Sequence, residues 1–292
     1  MSPWRTSCQT APAFKMFNQT YTISGSSEKP IAIDYISSDA EQVKPLIIFV
    51  HGFKGFKDWG THRLMGNYFA EQGFNFLKFN FSHNGIGENQ VDFFNDLEGF
   101  SKNTFSKELF DLNQVITFAL SGEPFEKPSE ICLVGHSLGG GISIIQASED
   151  KAVKKLATWA SISSFRNLWS PDQENEWRKN GVLYFLNTRT NQQMPILSTL
   201  LEDLNEHTER LDILAAARNT SQPWLIIHGE ADTSVHYKHA IELHNQQSKN
   251  QLLLIPSADH VFCAKHPWNT DSIPGELKQV CDATIAFFKS EK

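Results

Sequence analysis

The sequence predicts an α/β domain in which helices cover both faces of a mostly parallel β-sheet. Short apolar runs typical of buried strands alternate with longer segments of helical periodicity along most of the chain. Hydrophobic residues make up 40% of the 292 residues, which supports a large core and excludes wholesale disorder. The net charge is −7, and no basic cluster is interleaved with aromatic residues. We therefore expect no nucleic-acid partner.

The chain opens with an edge hairpin followed by a buried strand. Residues 20–24 and 31–37 alternate apolar and polar side chains around a turn at 25–30, which is typical of a hairpin. Residues 46–50 are continuously apolar, as in a strand buried on both faces. Similar runs predict further strands at 74–81, 131–134, 156–160, 224–229 and 251–255. Helical spacing of apolar residues predicts helices at 63–71, 103–120, 142–147 and 237–247, and a last helix from 274 onward.

Residues 165–221 interrupt this alternation. The segment is long, polar and rich in aromatic residues, with helical stretches near 197–204 and 211–217. A connection of this length inside a compact domain usually carries function or forms a small subdomain. We therefore predict a small inserted cap. The rest of the chain divides into an N-terminal extension and a core, at 1–19 and at 20–164 together with 222–292.

A G-x-S-x-G sequence, Gly135–Gly139, lies between an apolar run and a segment compatible with a helix. Strand, tight turn and helix together are the context that a nucleophile elbow requires, so we assign Ser137 as a candidate nucleophile. The pattern by itself is only moderately specific, and a Gly/Ser-rich loop is the alternative interpretation.

A serine nucleophile needs a base and a carboxylate that orients the base. In this architecture the chain order is serine, acid, histidine. His260 follows the last predicted strand and is our candidate base, whereas His266 is less well placed. Asp232 follows the preceding strand and is our candidate acid, with Glu230 as the fallback. A surface histidine and two turn carboxylates are the alternative interpretation.

The loop after the first central strand and the elbow itself supply candidate oxyanion donors. These are the backbone N–H groups of Phe53 and Leu138. His51 in the same loop either binds substrate or makes a structural hydrogen bond, and the second role is the commoner. The candidate substrate-binding residues are His51, His136, Trp169, Trp177, Tyr184 and Phe185.

Metal chemistry is the main rival for the histidines. His236, His239 and His244 lie on one predicted helix, but no carboxylate or cysteine completes a ligand set at a usual spacing. A solvated helix face is the simpler interpretation. The sequence has neither a GxGxxG motif nor a P-loop, so we expect no metal and no cofactor.

The cysteine content and the hydropathy of the sequence indicate the cellular compartment of the protein. The chain has no apolar run of transmembrane length and no signal-peptide pattern near its start. The four cysteines lack regular spacing, which favours a reducing compartment; they are Cys8, Cys132, Cys263 and Cys281. We therefore expect a cytoplasmic protein with no membrane partner, and we leave open a homodimer.

The motifs, in their order along the chain, resemble those of the α/β-hydrolase superfamily. They are His51-Gly52-Phe53, Gly135–Gly139, the segment 228–232 (His-Gly-Glu-Ala-Asp) and Asp259-His260. Within the superfamily the chain resembles bacterial cinnamoyl/feruloyl-type esterases and serine-aminopeptidase-like hydrolases, which carry a cap at the position of residues 165–221.

This resemblance implies an α/β-hydrolase fold with an eight-stranded sheet and a Ser137–His260–Asp232 triad. It also implies hydrolysis of a small-molecule ester, with a small acyl or aryl (cinnamoyl-like) group, without a cofactor. Other chemistry stays open, because the same triad serves peptidases, thioesterases and acyltransferases. A non-catalytic binding protein on the same scaffold is a further alternative, since fold alone does not fix function.

Overall fold

The computed structural model describes residues 16–39, 42–87 and 93–290. Its strands are β1 (Phe17–Ser24), β2 (Pro30–Ser37), β3 (Leu46–Val50), β4 (Asn75–Phe79), β5 (Ile131–His136), β6 (Val153–Trp159), β7 (Val182–Asn187), β8 (Gln192–Leu197), β9 (Trp224–Gly229) and β10 (Gln251–Ile255). Eight of them form one sheet in the order β1-β2-β4-β3-β5-β6-β9-β10. The β1–β2 and β2–β4 pairs are antiparallel and all the other pairs in this sheet are parallel. The predicted eight-stranded, mostly parallel sheet and its edge hairpin are confirmed.

Helices pack on both faces of this sheet, as predicted. They are α1 (His62–Glu71), α2 (Leu97–Ser101), α3 (Phe105–Ser121), α4 (Leu138–Glu149), α5 (Pro171–Asn180), α6 (Thr199–Glu206), α7 (Ile213–Asn219), α8 (Lys238–His244) and α9 (Gly275–Lys289). Apolar side chains of α3 and α4 belong to one buried cluster, and those of α1 and α9 belong to a second cluster. Strands β3 and β5 contribute alternate side chains to both clusters, which explains their uninterrupted apolar sequences.

The segment between β6 and β9 contains more regular structure than its sequence predicts. The expected helical stretches are present as α6 and α7, but α5 and an antiparallel hairpin of β7 and β8 also form there. The hairpin is hard to recognise because its turn lacks glycine and β8 contains Pro195, a residue that argues against a strand. It packs against the core through α2, while α6 packs on α3 and α7 packs on α4.

The first strand begins at Phe17. Of the predicted N-terminal extension at residues 1–19, residues 1–15, with Cys8, lie outside the described residues. In the described ranges, no helix combines the length and the apolar character needed to cross a bilayer.

A buried carboxylic acid lies on α3, on the side of the molecule that carries the hairpin. Glu108 is only 4% exposed; it accepts a hydrogen bond from the Asn103 side-chain amide at 2.7 Å, and its second oxygen has no hydrogen-bond partner among the described residues. Burial raises the pKa of Glu108 to about 8. The group is therefore protonated in the folded protein at neutral pH, but ionised in the unfolded chain.

Because the folded-state pKa of Glu108 is raised, its contribution to stability is complete below about pH 4.3 and is lost as the pH rises towards 8. We expect Glu108→Gln to flatten the fall in melting temperature between pH 5 and pH 8. Calorimetry at both pH values checks this, with the exposed Glu123→Gln as the matched control. An equally steep fall in the Glu108→Gln protein would contradict the assignment.

Candidate active site

Ser137 sits on a strained turn between β5 and α4. Its backbone angles are φ 56° and ψ −119°, a conformation that a non-glycine residue adopts only under constraint. The flanking glycines permit this turn: a Cβ at Gly139 would lie 2.2 Å from the Val50 carbonyl oxygen, and one at Gly135 would lie 2.4 Å from the Gly139 carbonyl oxygen. The G-x-S-x-G pattern therefore reflects close packing of α4 on the ends of β3 and β5.

The structure brings Ser137, His260 and Asp232 together from three separate loops. The hydroxyl of Ser137 lies 3.0 Å from Nε2 of His260, and Nδ1 of His260 lies 2.7 Å from Oδ2 of Asp232. Ser137 and Asp232 are buried, whereas the His260 side chain is 22% exposed. This is the geometry in which an imidazole can take a hydroxyl proton while a carboxylate holds its tautomer.

The Asp232 carboxylate is held in its ionised form. Burial alone would raise its pKa, but hydrogen bonds from His228 and His260, together with the Val235 amide, outweigh burial and hold the pKa well below its usual value. Its Oδ1 accepts the amides of Ser234 and Val235, each at 2.8 Å. Asp232 is therefore a charged carboxylate at neutral pH, held in position by these hydrogen bonds.

The alternative acid and base are placed elsewhere. Glu230 is exposed on the turn. His266 accepts the Gly60 amide through Nδ1 at 2.7 Å and packs on Phe56. Asp259, although adjacent to His260, accepts the amides of residues 261 and 263 within its own loop.

Two histidines predicted to face substrate make structural hydrogen bonds. The Nε2–H of His136 donates to the His260 carbonyl at 2.8 Å, and the Nδ1–H of His51 donates to the Gly52 carbonyl at 3.0 Å. Burial lowers the pKa of His136 to about 3 and that of His51 to about 4, so both rings are neutral. Both also line the cavity beside Ser137.

The two candidate oxyanion donors belong to residues that lie close to Ser137. Leu138 is the first residue of α4, so its N–H has no acceptor within the helix and lies at the positive end of the helix dipole. Phe53 follows Gly52, where a Cβ would lie 3.0 Å from the Ser137 Cβ. The loop after β3 therefore runs directly against the serine, where a backbone donor can reach a developing oxyanion.

Two cavities adjoin this arrangement. The first, the core cavity, has a volume of about 660 Å³ including its open mouth and is lined in part by Ser137 and His260. The second, the cap cavity, is about 270 Å³ and is lined in part by Phe53, Asn103, Leu138, Trp169, Trp177 and Phe185.

The four aromatic residues predicted to bind substrate from the 165–221 segment lie in two different environments. Trp169, Trp177 and Phe185 line the cap cavity, and the Phe185 ring lies 5.0 Å from the Phe53 ring. The structure corrects the prediction for Tyr184: its side chain is 56% exposed and lines neither cavity. Successive residues of a strand point to opposite faces, so Phe185 turns inward on β7 and Tyr184 turns outward.

The sequence predicted no role for His228, whose side chain is fully buried next to Asp232. Its Nε2 lies 2.8 Å from the Val235 carbonyl oxygen and 3.2 Å from Oδ2 of Asp232, the oxygen that His260 contacts. A single N–H is therefore shared between a loop carbonyl and the carboxylate. The available signal was the four-residue spacing of His228 and Asp232 around a tight turn.

We expect His228→Leu to lower kcat about tenfold with little change in KM, because one hydrogen bond to a charged group is lost. His228→Gln, whose amide can replace the Nε2 donor, should recover most of that loss. Steady-state kinetics with an activated ester measures both values. Equal kcat values for the two variants would contradict a positioning role.

Two of the three histidines that could have been metal ligands make hydrogen bonds to other side chains. His239 hydrogen-bonds the Ser163 hydroxyl at 2.8 Å, and His244 hydrogen-bonds Asn250. Among residues 16–39, 42–87 and 93–290, no group of three or more His, Cys, Asp or Glu side chains is arranged to hold a metal ion.

Comparisons with known proteins agree with the fold. The model of the dienelactone hydrolase family matches residues 33–291. No curated protein sequence gives a significant match.

Three solved structures illustrate the similarity. Est1E from Butyrivibrio proteoclasticus with ferulic acid bound is 18% identical, with 91% of this chain and 96% of that chain covered and a TM-score of 0.67. The esterase domain of a Rhodothermus marinus protein is 21% identical, with 93% and 97% covered and a TM-score of 0.63. DcsB, solved with a substrate analogue, is 16% identical, with 94% and 98% covered and a TM-score of 0.72. At these identities the similarity shows the fold.

Proposed function

The chain belongs to the dienelactone hydrolase family of the α/β-hydrolase superfamily, and on that premise we propose that it is a serine hydrolase that cleaves carboxylic esters through an acyl-enzyme. One observation carries the proposal: the continuous hydrogen-bonded arrangement of Ser137, His260 and Asp232, with separations of 3.0 and 2.7 Å. The esterases among its structural neighbours add support for the reaction class.

In the proposed mechanism, the Ser137 oxygen attacks the ester carbonyl carbon while Nε2 of His260 accepts the hydroxyl proton. The amides of Phe53 and Leu138 stabilise the negative charge that develops on the carbonyl oxygen. His260 then gives its proton to the leaving alcohol, and the acyl group stays on Ser137. A water molecule, deprotonated by His260, releases the acid by the same steps in reverse. Asp232 keeps the imidazole in the required tautomer throughout.

We further propose that residues 165–221 act as a cap and that the acyl group lies beneath it. The cap cavity measures about 270 Å³ including the open space at its mouth, and its lining is apolar apart from Asn103 and half aromatic, which favours small acyl or aryl groups such as cinnamoyl-like ones. The reaction requires no cofactor in this scheme. A cytoplasmic location is in keeping with free thiols at the three described cysteines, Cys132, Cys263 and Cys281.

A substrate panel tests the reaction type. We expect p-nitrophenyl esters of short acids to be hydrolysed with a higher kcat/KM than aminoacyl anilides or acyl-CoA thioesters. Turnover of anilides or thioesters together with inert esters would refute the esterase proposal and identify a peptidase or thioesterase instead.

A further inference from the structure

The core cavity lies on the side of the sheet that faces α1 and α9, away from the residues of the cap. Its inner walls include Met65 of α1, Trp159 at the end of β6 and Leu277 of α9, all members of the buried cluster on that side. No residue of 165–221, a segment that the structure describes throughout, lines it. A substrate group in this space would therefore be recognised by the core of the fold.

The remaining walls favour an uncharged, flat group. Burial holds the pKa of His62 well below its ordinary value and lowers that of His136 to about 3, so both imidazoles are neutral. Among the described lining residues the cationic one is Lys54, and its ammonium group donates to the Leu186 carbonyl at 3.1 Å. Aromatic rings of Trp59 and Trp159 supply apolar surface suited to a planar ligand.

The position of His260 indicates which half of the ester enters the cavity. His260 must protonate the leaving oxygen, so that oxygen lies against its imidazole during the reaction. The cavity is walled by His260 and the two residues that follow it, Val261 and Phe262. The chain of atoms beyond the leaving oxygen therefore continues into the core cavity, whereas the acyl group extends towards Leu138 and the cap cavity.

We propose that the core cavity binds the leaving alcohol of the substrate, and that this alcohol is an uncharged aromatic alcohol. The proposal rests on the serine esterase function proposed above. It assigns alcohol selectivity to the core and leaves acyl selectivity to the cap.

The test fills the cavity. Ala264→Leu adds three carbons to a buried wall residue, and we expect it to lower kcat/KM for phenyl acetate relative to methyl acetate by about tenfold or more. The ratio between phenyl acetate and phenyl butanoate, which differ only in the acyl group, should stay within twofold. Ala283→Leu on α9 is the matched control, and circular dichroism confirms folding of each variant.

The outcomes separate the two proposals. If the wild type hydrolyses esters but the ratio of phenyl acetate to methyl acetate is unchanged in Ala264→Leu, the cavity assignment alone is refuted. A shift that follows the acyl series reverses the assignment of the two cavities and refutes it as well. Failure of the wild type to hydrolyse any ester refutes the function on which the inference rests.

Discussion

Replacing Ser137 with alanine should lower kcat for ester hydrolysis by a factor on the order of 10⁶, because the acyl-enzyme can no longer form. Residual hydrolysis, about 10³- to 10⁴-fold above the uncatalysed rate, would come from substrate binding and the oxyanion donors alone. The variant keeps the fold, since the hydroxyl contacts the partly exposed His260 and removing it opens no large void. Steady-state kinetics with a p-nitrophenyl ester measures the loss.

Ser148→Ala on α4 is the matched control for Ser137→Ala, because its hydroxyl donates to the Ile145 carbonyl within the helix. We expect this control to retain activity within about twofold, as for a substitution away from the site. An S137A protein that retained a tenth of wild-type kcat would refute nucleophilic catalysis by Ser137.

The second large effect concerns Asp232. We expect Asp232→Asn to lower kcat by about 10⁴-fold, because an amide nitrogen facing Nδ1 of His260 would favour the wrong imidazole tautomer. The proton would then lie on Nε2, which could no longer accept the Ser137 proton. The hydrogen bonds that hold the pKa of Asp232 below its usual value favour a charged carboxylate at this position.

Asp259→Asn gives a stringent control, because Asp259 neighbours His260 in sequence. Its Oδ1 accepts two loop amides, at 3.1 and 2.8 Å, and an asparagine oxygen can accept both. We expect its kcat to stay within a few-fold of the wild type. A loss in Asp259→Asn as large as that in Asp232→Asn, measured under identical conditions, would contradict the assignment of the acid.

Local patterns predicted the elbow and the main sheet. The continuous apolar run of β3 follows from its burial on both faces of the sheet. The turn glycines around Ser137 belong to a recognisable local motif, although Gly139 is required by a close approach to β3. Chain order, together with position relative to the end of the preceding strand, then selected Asp232 and His260 from the available carboxylates and eleven histidines.

Other features depend on packing between distant parts of the chain. The core cavity joins the first turn of α1 to the start of α9, two segments separated by about 200 residues, so no local pattern indicates it. The error at Tyr184 has a different origin: the register of β7 was unknown, and one residue of register reverses the face to which a side chain points. The role of His228 was missed because its four-residue spacing from Asp232 indicates a contact only once the turn between them is known to be tight.

The most direct test of the central claim is covalent labelling of the full chain with a fluorophosphonate probe, followed by mass spectrometry of the tryptic peptides. The account predicts one adduct per chain, on Ser137, and its loss in the Ser137→Ala protein. Absence of labelling in the folded wild type, or equal labelling of Ser137→Ala, would contradict the claim that Ser137, His260 and Asp232 form an activated serine nucleophile.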